Sequence, residues 1–276
     1  MPSRVAALAR STHPGPAVAV SAIAVILGIG VGLEPWRLVL LGLAFLANQA
    51  SVGLSNDWID ADRDRAVGRS DKPVAAGLVS KTAARNAAFA TATLAIVLTI
   101  PLGWPATVAH AVFIVSAWMY NAGLKSTPLS VLPYIVSFGL LPLIVTLAMH
   151  SPTPCSPWAL LAGALLGVSA HFANVLPDLD DDRATGVRGL PHRAGARASG
   201  LVIAGALAGA SASIVLGLGA APVYSYVGLG LSVLLAAGCA VLVLRGRPTR
   251  LVFRLIISGA LLDVVLLALS GGRLLA

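Results

Sequence analysis

The sequence predicts an all-α fold, a polytopic membrane bundle of nine transmembrane helices, and three observations carry the prediction. Of 276 residues, 57% are hydrophobic and only 11% charged, far from the composition of a water-soluble domain. Apolar runs long enough to cross the hydrocarbon core of a bilayer recur along the whole chain. These runs are continuously apolar and lack the two-residue alternation of a membrane barrel, so their backbone amides must be satisfied within helices.

The nine runs fall at 15–33, 36–57, 80–101, 104–123, 128–149, 157–178, 197–219, 222–244 and 251–271. Pro35, Pro105, Pro128, Pro152 and Pro157 lie near predicted starts, where a missing amide donor costs little. Most connections are short, which makes successive helices antiparallel neighbours. The 28 glycines suit close approach of helix backbones. Gly28, Gly30 and Gly32 lie inside the first run, which excludes a nucleotide-binding loop there. Cys155 and Cys239 read as small apolar fillers. Met1 to Pro16 is too polar for the apolar centre of a signal peptide. Nothing divides the chain, so residues 1–276 read as a single integral-membrane domain.

A formal charge of +8 invites a nucleic-acid partner, and the placement of the charges removes it. With nine spans and the N-terminus inside, all basic residues but Arg37 and Arg273 fall on one face. That asymmetry predicts the N-terminus in the cytoplasm and the C-terminus outside, in a bacterial plasma membrane. The excess positive charge is mostly topogenic, with some left for an anionic ligand or anionic lipid.

Two segments hold eight of the eleven acidic residues: Asp57, Asp60, Asp62 and Asp64 after the second run, and Asp178, Asp180, Asp181 and Asp182 after the sixth. Both face the cytoplasm in the predicted topology. If the second span stays helical, Asp57, Asp60 and Asp64 share a face with Asn56 beside them. Asn174, Asp178 and Asp182 are spaced by four, with Asp181 adjacent and His171 one turn deeper. Asp62 and Asp180 fall off these faces and read as solvated loop residues. So many carboxylates raise one another's pKa unless cations intervene, and hard divalent cations take oxygen ligands. With the arginines and lysines between them, the two clusters point to a diphosphate held through Mg2+, two ions being expected. The apolar bundle behind them suits an isoprenoid tail.

At these residues the chain resembles the UbiA superfamily of intramembrane prenyltransferases. The family's Asn-Asp-x-x-Asp-x-x-x-Asp signature is matched by Asn56, Asp57, Asp60 and Asp64, followed by Arg69, Lys72, Pro73 and Gly77. Lysine stands at 72 where the family more often has arginine. The second signature, Asp-x-x-x-Asp, is matched by Asp178 and Asp182, followed by Gly186 and Arg188. Tyr120 and Lys125 resemble a further family segment. The resemblance implies transfer of a prenyl group from its diphosphate to a lipophilic acceptor, an aromatic ring or quinone precursor, with loss of diphosphate. It implies Asn56, Asp60 and Asp64 as ligands of one ion and Asp178 and Asp182 of the other, with Asp181 beside them. Asp57, Asp60, Asp178 and Lys125 become the catalytic candidates. Arg69, Lys72, Lys125 and Arg188 become the phosphate contacts, with Tyr120 and Asn174 lining the substrate site and Arg10 a further candidate.

His171 reads as a buried histidine paired to a neighbouring helix, or as part of the acceptor pocket. Asn48, Gln49 and Asn86 read as hydrogen-bond partners between helices. His192 is either a surface loop residue or a cap over the site. Asp263, alone in the ninth run, either pairs with a base or stays protonated. Three other functions share these features: a terpene cyclase, a transferase of phosphoribose onto polyprenyl phosphate, and a divalent-cation transporter. The transporter is disfavoured because the carboxylates lie at helix ends among arginines, not at mid-membrane.

Overall fold

The structure, a computed structural model, describes residues 3–179, 186–245 and 250–276, the side chains of Asp178 and residues 250–254 excepted. Among the described residues there are ten helices and no strand: α1 (Arg4–Arg10), α2 (Pro14–Gly30), α3 (Pro35–Ala66), α4 (Lys81–Thr99), α5 (Trp104–Ala122), α6 (Leu132–Leu147), α7 (Pro157–Val175), α8 (Leu190–Gly217), α9 (Val223–Leu244) and α10 (Arg250–Leu269). Helices α2 to α10 coincide one for one with the nine apolar runs. Five of them, α3, α4 with the turn that follows it, α7, α8 and α9, are long and apolar enough to cross a membrane. A sixth is added if α1 and α2 count as one span across their 58° bend. The apolar helices Leu132–Leu147 and Leu255–Leu269 are shorter, and α5 is diluted by His110, Tyr120 and Asn121. The long apolar helices mark an integral membrane protein.

From α2 onward each helix packs along the next, and α10 returns to α2, which closes the bundle into a ring. The principal core lies towards one end, where Leu27, Phe45, Leu102, Phe113, Ile144 and Ile214 are buried together. A second cluster around Phe172, Ile203, Leu207 and Cys239 joins α7 to α10. Cys155 and Cys239 are both buried and unbonded, as apolar fillers should be. Helices α6 and α7 touch backbone to backbone: a Cβ at Gly163 would lie 2.4 Å from the Phe138 carbonyl oxygen, and one at Gly167 2.4 Å from that of Tyr134. Only glycine permits this approach, which gains van der Waals contact where lipid offers no hydrophobic driving force.

The bundle has two unlike ends. At one, Arg37 Nη1 donates to the carbonyl oxygens of Ala148 (2.9 Å) and Leu102 (3.4 Å), and Arg273 Nη1 to that of Ala220 (3.0 Å). These are the two basic residues the charge pattern separates from the rest, and they satisfy carbonyls at chain ends and turns. The other end carries Asp57 to Asp64.

Three boundaries differ from expectation, each for a local reason. Helix α3 outruns its apolar segment and continues to Ala66, so all four aspartates of the first segment stand on regular helix. Helix α7 ends at Val175, and Leu176–Asp178 form a tighter 3-10 turn. Pro177 has no amide to continue the α-helical ladder, and the chain tightens at this point. Helix α8 starts at Leu190, ahead of its run, with Gly195 (φ 80°) kinking it between a polar first turn and the apolar remainder.

Candidate functional site

At the acidic end of the bundle lies a cavity of about 510 Å³, within the range of small-molecule sites. Its wall includes Asn56, Asp57, Asp60 and Asp64 from α3, Lys72 from the following loop, Tyr120 and Asn121 from α5, Lys125 from the next turn, and Asn174 from α7. Arg10, Arg69 and His192 also line it. Residues from seven separate elements thus converge, from Arg10 to His192 in sequence.

Asp57, Asp60 and Asp64 are buried at 1%, 6% and 4% exposure, and each oxygen's neighbours can be traced. Lys125 Nζ lies 2.5 Å from both oxygens of Asp60. Asp60 Oδ2 also accepts from Asn56 Nδ2 (3.0 Å) and faces Arg63 Nη2 (3.0 Å). Lys72 Nζ donates to Asp57 Oδ1 and to Asn56 Oδ1, both at 2.8 Å. Asp64 Oδ1 takes Arg63 at 3.5 Å. Asp57 Oδ2 and Asp64 Oδ2 remain buried with no hydrogen-bond donor. Asn121 Nδ2 donates to Ser55 Oγ (2.8 Å) and the Val52 carbonyl (2.9 Å), tying α5 to α3 just below Asn56. Burial lowers the pKa of Lys125, outweighing the upward pull of Asp60.

One participant stands outside every motif. His13, in the elbow between α1 and α2, points its Nε2 at Asp57 Oδ1 (3.1 Å) from a left-handed backbone conformation (φ 51°). Such a conformation is costly for a bulky residue and persists only where the surroundings impose it. Here they do. The elbow rests on Gly53, where a Cβ would stand 2.6 Å from the Thr12 carbonyl carbon and oxygen. A polar turn before a span carries no motif, so only the tertiary packing exposes it. Arg63 and Asn121 belong to no motif either: one counts among the basic residues of the inner face, and the other lies within the fourth apolar run.

Other expected residues sort as follows. Asp62 is exposed and pairs with Lys81 (2.7 Å), off the cavity. Arg69 binds Asp71 through two bonds (2.9 and 3.0 Å) at the rim. Arg188 is exposed and does not line the cavity; its neighbour Val187 does. His192 is buried rather than a surface residue. His171 pairs with Ser130 Oγ (3.0 Å) and stacks near Tyr134 and Tyr120 behind the wall. Asn48 bridges to His110 on α5 (2.9 Å), while Gln49 lines the cavity and Asn86 meets only Arg85. Asp263 pairs with Ser211, and no basic side chain reaches it among the described residues. Asp180, Asp181 and Asp182, with the side chain of Asp178, lie outside the described residues.

Among the described residues no three His, Cys, Asp or Glu groups stand together as a ready metal site. Lysine and arginine nitrogens interleave the α3 carboxylates instead. The oxygen-only donor set still suits a hard divalent cation, and the two orphaned buried oxygens of Asp57 and Asp64 leave acceptor capacity for one.

Residues 17–258 match the model of the UbiA prenyltransferase family, in accord with the resemblance carried by the two aspartate motifs. Comparison with curated proteins gives no match. Among solved structures, a UbiA homologue from Archaeoglobus fulgidus bound to GPP and Mg2+ superposes with a TM-score of 0.73 at 16% identity, covering 96% of this chain and 99% of that one. A digeranylgeranylglyceryl phosphate synthase gives 0.73 at 16% identity, covering 98% and 99%. The apo form of a UbiA homologue from Aeropyrum pernix K1 gives 0.73 at 18%, covering 89% and 96%.

Proposed function

The chain belongs to the UbiA prenyltransferase family, and we propose that it transfers a prenyl group from a prenyl diphosphate to a lipophilic acceptor, an aromatic ring or quinone precursor, with Mg2+ as cofactor. The observation that carries this reading is the cavity where buried α3 carboxylates meet Lys72 and Lys125 at the end of an apolar bundle. Structures of the Archaeoglobus homologue bound to GPP or DMAPP with Mg2+ support the donor class and the metal.

In this reading Asn56, Asp60 and Asp64 hold one ion and Asp178, Asp181 and Asp182 the second. When bound, Mg2+ neutralises the diphosphate oxygens and stabilises the charge that gathers on the leaving group. Lys72 and Lys125 contact the same oxygens as charged donors, with Arg69 at the rim and Arg188 next to the lining residue Val187. Asp57 holds Lys72 in place. The prenyl C1–O bond breaks with its electron pair going to diphosphate, the acceptor's nucleophilic atom supplies a pair to C1, and the acceptor then sheds a proton. The apolar bundle excludes water from the allylic cation, which water would otherwise capture. In this reading the site faces the cytoplasm of a bacterial plasma membrane, a sidedness that the positive-inside pattern supports.

The test incubates purified protein with Mg2+ and prenyl diphosphates of several lengths, with and without aromatic acceptors, following diphosphate release and products. Acceptor-dependent release with a prenylated product is expected. Release without acceptor, yielding a cyclic hydrocarbon, overturns transfer in favour of cyclisation. No turnover under any condition, with cation flux in liposomes, overturns both.

A further inference from the structure

Every oxygen assigned above to the first ion lies within 4.0 Å of a cationic nitrogen of the protein itself. Lys125 spans both oxygens of Asp60 at 2.5 Å, and Arg63 adds a second cation at 3.0 Å. Lys72 Nζ occupies Asn56 Oδ1 at 2.8 Å and stands 4.0 Å from Asp64 Oδ2. These two ammonium groups are largely buried, so water screens them little: the side chain of Lys125 is 10% exposed and that of Lys72 13%. A bare divalent ion approaching Asn56, Asp60 and Asp64 therefore meets two ammonium groups that already hold Asn56 Oδ1 and both oxygens of Asp60.

We infer that Lys72 and Lys125 are exchangeable placeholders, so that Mg2+ and the diphosphate load as a coupled pair, each raising the site's affinity for the other. This rests on the prenyl diphosphate reading of the cavity. Three features point the same way. Neither lysine is on α3: Lys72 belongs to the loop after it and Lys125 to the turn Leu124–Ser126, so both can withdraw while the acids stay on rigid helix. The lysines satisfy the acids only in part, because Asp57 Oδ2 and Asp64 Oδ2 keep no donor although buried. A lysine displaced from a carboxylate also needs an anion, and a diphosphate in the same cavity supplies one. Each event removes the obstacle to the other, and linkage makes the effect reciprocal.

The experiment measures binding, without turnover. Mg2+ affinity of the full chain in nanodiscs is determined by calorimetry, and Mn2+ affinity by electron paramagnetic resonance, with and without inorganic diphosphate. In the native protein diphosphate should tighten metal binding by about tenfold or more, inside the usual span of allosteric couplings. Lys125→Met and Lys72→Met, examined separately, should each bind the bare metal several-fold tighter than the native protein while binding diphosphate more weakly. A substitution that merely damages the site would weaken both. Equal metal affinity with and without diphosphate overturns the coupling, as do two variants that bind bare metal no tighter, even if the protein still transfers prenyl groups. Failure to bind any diphosphate at any metal concentration overturns the functional reading itself, and the coupling with it.

Discussion

The pair formed by Asp60 and Lys125 makes a quantitative prediction about stability that is separate from catalysis. Asp60 is 6% exposed and Lys125 9%, and their charged groups touch at 2.5 Å through both carboxylate oxygens. Asp60→Ala strands the Lys125 ammonium in a place water scarcely reaches, and Lys125→Met strands the carboxylate. Removing one member of a buried ion pair costs roughly 3–5 kcal/mol. Arg63 moderates the loss little, since its side chain is 30% exposed and an exposed partner contributes about 1 kcal/mol or less. The double variant strands neither charge, and exchanging a buried pair for apolar groups is often close to neutral. A double-mutant cycle should therefore show the pair of substitutions costing at least about 6 kcal/mol less than the sum of the singles. Reversible unfolding in mixed micelles, titrated with a denaturing detergent, measures all four proteins. Additivity within about 0.5 kcal/mol would refute the buried pair. Turnover is expected to vanish in all three variants, so activity alone does not report on it.

Three further outcomes follow from single contacts. Gly53→Ala places a Cβ 2.6 Å from the Thr12 backbone; pushing the elbow off α3 should destabilise by about 1–3 kcal/mol, and unchanged thermal stability would show the contact to be loose. His13→Gly removes the left-handed strain together with the contact to Asp57. Stability should hold or rise by about 1 kcal/mol while the KM for prenyl diphosphate increases, whereas a stability loss without a KM change would reverse the assignment. Asp263→Asn keeps a partner for Ser211 and should leave stability nearly unchanged, while Ser211→Ala should cost about 1–3 kcal/mol by leaving the carboxyl group unpaired. Equal losses in both variants would mean that the charge on Asp263 matters.

Much of this was legible in the residues. The runs of apolar residues located α2 to α10, because an apolar segment satisfies its own amides as a helix, but of the nine expected spans five or six helices are long and apolar enough to cross a membrane. The spacing of Asn56, Asp57, Asp60 and Asp64 singled out their shared helix, and α3 does carry all four to Ala66. Pro177 is visible too, and its missing amide accounts for the tighter turn that ends α7. His192, which reads either as a surface loop residue or as a cap over the site, is buried and lines the cavity, since what covers a loop residue comes from elsewhere in the chain.

The sequence by itself determined an all-helical membrane protein with two acidic segments, and the motif within them that marks its family. Those properties are local: hydropathy, helical period and residue type at fixed spacing suffice to state them. Only the tertiary structure decided that Lys125 straddles Asp60, that Lys72 bridges Asn56 and Asp57, and that a strained His13 faces them across Gly53. These contacts join residues from 15 to 65 positions apart. Which nitrogen reaches which oxygen depends on how helices and loops pack in three dimensions, and no pattern along the chain encodes that distance.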